Sequence, residues 1–141
     1  MYFSTMVFSF LRSIKQSILT RFPSFLLKTS PSPTITAYRL YTGTDDHSYV
    51  ETIQIPCMKR LDVSQMYINT TPPGSVYERH NAPQRNFVLT LSGTLEFTTS
   101  LGETFILKTG DILLAEDVTG HGHSWRMLGD EPWVRVYITL P

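Results

Sequence analysis

Residues 86–115 read NFVLTLSGTLEFTTSLGETFILKTGDILLA. Four short apolar and β-branched runs are packed into this stretch: Asn86–Leu91, Thr94–Thr99, Thr104–Leu107 and Asp111–Ala115. Between them lie Ser92-Gly93, Leu101-Gly102-Glu103 and Thr109-Gly110-Asp111, which carry the residues that tight turns require. Runs of this length with glycine at every break are strands, not helices.

The pattern continues outward in both directions. Ile35–Tyr41, Tyr49–Ile55 and Ser64–Asn69 precede it, and His123–Leu128 and Trp133–Leu140 follow it. Pro72-Pro73-Gly74 and Gly129-Asp130-Glu131-Pro132 supply further breaks. Many short strands at near-regular spacing predict an all-β sandwich, jelly roll or closed barrel. No repeat of 20–50 residues points to a solenoid or propeller. Trp133, Val134, Val136 and Ile138 read as an ordinary final strand.

Residues 1–30 differ. Val7, Leu11, Ile14 and Ile18 recur at helical spacing, with Arg12, Lys15 and Arg21 and several serines interspersed. Residues 1–44 hold five basic residues and no acid, whereas the remainder holds seven basic and twelve acidic residues, a net of −5. An acid-free, Ser-rich, amphipathic start fits a mitochondrial transit segment, or else a terminal helix or an extension without a role. Pro31-Ser32-Pro33 ends the helical pattern. The expected organisation is an extension and linker over 1–33 and one β domain over 34–141. The protein is expected to be intracellular, either cytoplasmic or mitochondrial.

Overall, twelve basic residues balance twelve acidic ones, so no global field selects nucleic acid. No stretch reaches the ~20 apolar residues of a membrane span. The lone Cys57 rules out an intrachain disulfide and reads as an idle thiol despite Lys59 and Arg60 nearby. His47, beside Asp45 and Asp46, reads as a surface residue.

Two stretches narrow the fold. Gly74, His80, Ala82, Asn86 and Gly93 are spaced like the first motif of the cupin superfamily, in which a glycine precedes His-x-His, a glutamate and a second glycine. Gly110-Asp111, an apolar run and Gly120-His121-Gly122-His123 resemble the second motif, whose histidine falls at His121 by spacing. His123 takes that place if the loop 116–120 carries a two-residue shift. The resemblance implies a single cupin-type antiparallel β-barrel with a ligand pocket inside it. It also implies a homodimer, since cupins often pair through apolar edge strands.

The departures bear on chemistry. Two of the four metal-ligand positions of metal-binding cupins are filled by Ala82 and Asn86, and the motif-two proline and asparagine by Glu116 and Trp125. Strand parity places His80, Ala82 and Asn86 on one face, and His121, His123 and Trp125 on another. The turn implied by Gly122 would instead send the two histidines apart.

Three readings follow. The favoured one is a cofactor-free acid–base enzyme of isomerase, cyclase or epimerase type, acting on a small organic carbonyl or anionic compound. There His80 is the general base or acid, held by Glu116 or Asp117; Glu78, despite its parity, lies one pleat repeat away. His123 is a second catalytic candidate and Arg85 holds an anionic group, while Tyr77, Gln84, Asn86, Glu116 and Trp125 bind substrate. Metal-free sugar-nucleotide epimerases of the superfamily use a histidine with an acidic partner. The second reading is a lyase or dioxygenase with a divalent metal (Zn, Fe or Mn) on His80, His121 and His123. The third is a binding or dimerisation module without catalysis, in which Arg85 merely pairs with Glu116 or Asp117.

Overall fold

A computed structural model describes residues 33–141; the helical and targeting readings of residues 1–30 lie outside the described residues. Ten strands follow one another. They are β1 (Thr34–Thr42), β2 (Ser48–Pro56), β3 (Gln65–Thr71), β4 (Val76–His80) and β5 (Asn86–Ser92), then β6 (Thr94–Thr98), β7 (Thr104–Lys108), β8 (Ile112–Glu116), β9 (His123–Leu128) and β10 (Trp133–Thr139). Nine correspond to the runs read from sequence. The tenth, β4, carries no apolar alternation because it is an edge strand whose side chains are mostly exposed.

The strands form two sheets. Six lie in the order β2-β1-β8-β5-β10-β3, and four in the order β4-β9-β6-β7. All pairings are antiparallel except β1 with β8, which run parallel. The antiparallel β-barrel expected from the sequence is thus present, with this one parallel pairing: β8 is delivered to the sheet by a crossover rather than a hairpin, a choice that local turn residues do not encode.

Alternation builds the interior. Along β6, Leu95 and Phe97 point inward, along β7 Phe105 and Leu107, and along β9 His123, Trp125 and Met127. They meet Leu40, Val88, Leu113 and Trp133 of the larger sheet in one core. Burying a Leu or Phe side chain of this kind is worth about 1.5–3 kcal/mol, so this inner face holds the two sheets together. Phe97 stacks on Phe105 at 5.2 Å, and Trp125 meets Trp133 edge-to-face at 5.1 Å. No helix among the described residues is long and apolar enough to cross a membrane.

Candidate functional site

At one end of this interior the aromatic packing stops short and leaves a cavity of about 50 Å³. Val88, Phe97, Leu113, Trp125 and Trp133 form its apolar walls, and its polar groups are His80, Asn86, His123 and Tyr137. At about 10–15 Å³ per water, it has room for three to five water-sized groups. A small molecule fits inside, or the tip of a larger one.

Two histidines lie side by side on its wall, their rings in contact with centroids 4.4 Å apart. His80 ends β4 opposite His123, which opens β9. The register slips between Tyr77 and His80, so three residues of β4 span two of β9. This bulge lets both Tyr77 and His80 turn to the Trp125 side and breaks the parity that sequence reasoning assigned to Glu78 and His80. Tyr77 stacks on Trp125 at 5.5 Å and sets its ring against the His80 imidazole at 4.2 Å. It stands half exposed beside the cavity rather than lining it.

Gly122 makes the approach of the two strands possible. Its φ is +65°, and a Cβ there would lie 2.1 Å from the carbonyl oxygen of His80. Only glycine accepts both conditions. The same turn separates the two motif-two histidines. His123 points inward and is 5% exposed, whereas His121 is exposed and packs against His47 with ring centroids 4.7 Å apart. The shared face expected for His121 and His123 is thus corrected, because His121 precedes the strand and sits before the turn.

His123 is anchored from behind. Its Nδ1 lies 2.5 Å from Oδ2 of Asp117, a carboxylate with no exposure at all. The carbonyl of Asp117 accepts hydrogen bonds from the Ala82 N–H and from Asn81 Nδ2, and the same Asn81 amide donates to Thr119 O at 2.6 Å. Asn81 thereby clasps the 117–120 loop and sets the position of the carboxylate. With Nδ1 committed, Nε2 is the nitrogen that His123 offers to the cavity.

The partner expected for His80 is therefore corrected. Asp117 holds His123, and Glu116 faces away. His80 instead donates from Nδ1 to the carbonyl of Glu78 at 2.8 Å. A carbonyl can only accept, so the neutral ring carries its proton on Nδ1 and keeps a lone pair on Nε2. Burial pushes the His80 pKa below its ordinary value, helped by nearby His123 and opposed by the Glu78 carbonyl and Asp117. His80 is thus uncharged at neutral pH.

Asn86 opens β5, with its Nδ2 bound to the Gln84 carbonyl at 2.7 Å and its Oδ1 buried without a partner. A buried acceptor left unpaired is costly unless something else donates to it. His80, Ala82 and Asn86 do reach one cavity, but not along one strand. The chain leaves the small sheet after His80, turns through residues 81–85 and enters the large sheet at Asn86.

Other expected residues are not brought together here. Arg85 is 52% exposed in its side chain and bonds Glu116 Oε1 through Nε at 2.9 Å. Glu116 also accepts from Arg39 at 2.6 Å, and Arg39 reaches on to Glu51. These charges form a chain on the outward side, where residues 39 and 116 point opposite to cavity-facing Ala115. Gln84 is exposed and contributes only its carbonyl. The anion-binding role read for Arg85, and the substrate contacts read for Glu116 and Gln84, are corrected accordingly.

Sequence reasoning passed over β10. Trp133 and Tyr137 line the cavity, and Arg135, 5% exposed, lies between them on the same inward face. The signal was available: an arginine in step with two inward aromatics on a strand is out of place unless it is used.

This arrangement tests a metal. Four ligand positions of the family motif converge on the cavity as His80, Ala82, Asn86 and His123. The donors they provide are two imidazoles and one carboxamide, short of the three strong ligands a catalytic divalent ion takes. Among the described residues no cluster of three or more His, Cys, Asp or Glu side chains is close enough to hold an ion. The set His80, His121 and His123 is not assembled.

A family model described as a cupin domain matches residues 67–138, half of the chain. The protein belongs to the cupin family. Among solved structures, the cupin resembles a cupin-like protein from Thermotoga maritima at 22% identity and TM-score 0.44, over 54% of this chain. The match takes in 56% of the Thermotoga chain. It also resembles a conserved protein with a double-stranded β-helix domain from Klebsiella pneumoniae, at 21% identity and TM-score 0.43 over 79% of this chain and 80% of that one. An RmlC-like cupin protein from Desulfovibrio desulfuricans matches at 16% identity and TM-score 0.40, over 84% and 95% of the two chains. No curated protein matches.

Proposed function

We propose that this cupin is a metal-independent acid–base catalyst acting on a small carbonyl compound, with His123 as the group that takes and returns the proton. The observation that carries this reading is the buried Asp117–His123 pair in contact with a second, neutral imidazole on the wall of a small cavity. Asp117 fixes the tautomer of His123 and stabilises the imidazolium that forms when Nε2 accepts a proton. His80, with its lone pair on Nε2, serves beside His123 as the second base or, once protonated, as the acid. The unpaired Asn86 Oδ1 accepts a hydrogen bond from a hydroxyl or amine of the ligand. Apolar walls exclude water and strengthen each of these interactions.

Isomerisation and epimerisation at a carbon next to a carbonyl, and cyclisation through an enolate, share one step, removal of a proton next to that carbonyl. Proton exchange in heavy water reads that step without knowledge of the product. Wild-type protein incubated with small ketones and 2-oxo acids, such as hydroxyacetone and pyruvate, is expected to exchange the adjacent protons as followed by NMR. His123→Gln is expected to slow exchange by about 10²–10⁴-fold, the usual contribution of a positioned acid or base. Equal rates in wild type and His123→Gln refute the reading. We also infer that two copies associate through the outward face of the six-stranded sheet, where Met66, Ile68 and Leu91 are exposed.

A further inference from the structure

Arg135 is the most deeply buried arginine described, and no carboxylate among the described residues pairs with it. The contrast within the molecule is direct. Arg39, Arg85 and Arg126 are all more exposed, yet each has a carboxylate partner. A guanidinium cannot shed its proton in a protein, so its charge must be compensated in place.

What surrounds it is neutral. Its guanidinium lies 3.7 Å from the Trp133 ring centroid. One terminal nitrogen, Nη1, donates to Thr71 Oγ1 at 2.8 Å and to the Trp133 carbonyl at 3.3 Å. Nε donates to the Tyr137 hydroxyl at 2.9 Å. These contacts satisfy hydrogen bonds and supply cation–π attraction, but they supply no negative charge.

The contact with Tyr137 links this charge to the cavity. Tyr137 lines it, and its oxygen already accepts from Arg135. The phenol hydrogen is therefore left to donate elsewhere. A hydroxyl backed by a guanidinium is a strong donor towards an anion.

We propose that the cavity selects a small monocarboxylate, whose negative oxygen is held by the Tyr137 hydroxyl with the buried charge of Arg135 behind it. This deepens the acid–base reading, since it rests on the same cavity being the ligand site and names the class of compound admitted there. The anion supplies the charge that the protein lacks around Arg135. With a carboxylate at Tyr137, the carbon skeleton lies towards the His80 and His123 imidazoles. The cavity takes a ligand, or the end of one, of a few heavy atoms. Tyr137 is then a binding residue, and Arg135 a specificity-determining residue that acts through it.

Binding tests this without turnover. Acetate, propionate and butyrate are titrated into the full-length protein by calorimetry, beside the isosteric amides acetamide, propionamide and butyramide. At least one carboxylate is expected to bind at least tenfold more tightly than its amide. Tyr137→Phe, which keeps Arg135 and the ring, is expected to weaken carboxylate binding about tenfold and amide binding by much less, so that the preference shrinks. Arg135→Lys, which keeps the charge, is expected to retain the preference, and Arg135→Met to lose it.

Arg85→Met, which lies outside the cavity, is expected to leave carboxylate binding within about twofold of wild type, and because anion preference is read by calorimetry and proton exchange by NMR, failure of the one is distinguished from failure of the other. Equal binding of carboxylate and amide by wild type, or no binding of either, overturns the proposal. So does an undiminished preference in Tyr137→Phe, which decides the matter even if Arg135→Met does not fold.

Discussion

Replacing Gly122 by alanine tests the join between the two sheets on which the site depends. The new Cβ would lie 2.1 Å from the His80 oxygen, 2.5 Å from its carbonyl carbon and 2.9 Å from the Asn81 nitrogen. All three are backbone atoms, so no side chain can swing aside. Ordinary contact begins near 3.4 Å, and the strands must part by more than an ångström. Two costs add. A left-handed conformation costs a non-glycine residue about 1–2 kcal/mol, and forced backbone displacement in a packed region about 1–3 kcal/mol.

Gly129 provides the control. Its φ is +75° and nothing lies within 4 Å of the position a Cβ would take. Gly129→Ala therefore carries only the first cost. The two variants should differ by the second, and a domain of this size shifts its Tm by about 4–8 °C per kcal/mol. Thermal unfolding followed by circular dichroism should place Gly122→Ala at least about 4 °C below Gly129→Ala. Relief of the clash moves His80 away from His123, so proton exchange should fall in Gly122→Ala and hold in Gly129→Ala. Melting of the two variants within about 2 °C of each other would refute the reasoning.

Asp117→Ala leaves the buried Nδ1 of His123 without its acceptor, and urea unfolding should show a loss of about 1–3 kcal/mol; an unchanged midpoint would deny that the pair forms. Burial lowers the His80 pKa, so as pH falls the unfolded chain takes up the proton first. Stability from this group is complete above its ordinary value of 6.5 and is lost as pH drops through the folded value. His80→Gln should flatten that part of the stability–pH curve, and an identical curve would count against a buried, neutral His80. Arg85→Met removes a largely exposed ion pair with Glu116 and should change stability by no more than about 1 kcal/mol. It should leave carboxylate binding intact, whereas a loss of binding would return Arg85 to the site. Ile68→Asp should convert a dimer to a monomer in light scattering, and a wild-type protein already monomeric at tens of micromolar would remove that inference.

Much of the fold was legible because its determinants are local. Alternation at period two, broken by glycine-bearing turns, defined nine of the strands from side chains a few residues apart. The spacing of Gly74, His80, Ala82, Asn86 and Gly93 carried the cupin resemblance without reference to any contact. β4 escaped because an exposed edge strand buries almost nothing and so leaves no apolar pattern. The parallel pairing of β1 with β8 escaped because it joins segments more than seventy residues apart.

The site divides along the same line. That His80, Asn86, His123 and Trp125 would share a cavity followed from motif spacing, although parity along one strand was the wrong reason for His80 and Asn86. Which acid holds which histidine could not be read, because a loop residue such as Asp117 has no periodicity to aim it. Its direction comes from Asn81, pinned across the barrel. The bulge before His80 and the turn at Gly122 each reverse a parity, and a single reversal exchanges inside for outside. Arg85 and Arg135 show the consequence. Sequence alone determined that this chain builds a cupin-type β-barrel and which histidines its motifs hold. Only the tertiary structure decided that one arginine is neutralised outside while the other is buried beside the cavity without a counter-charge, since compensation of a charge depends on neighbours brought from distant strands.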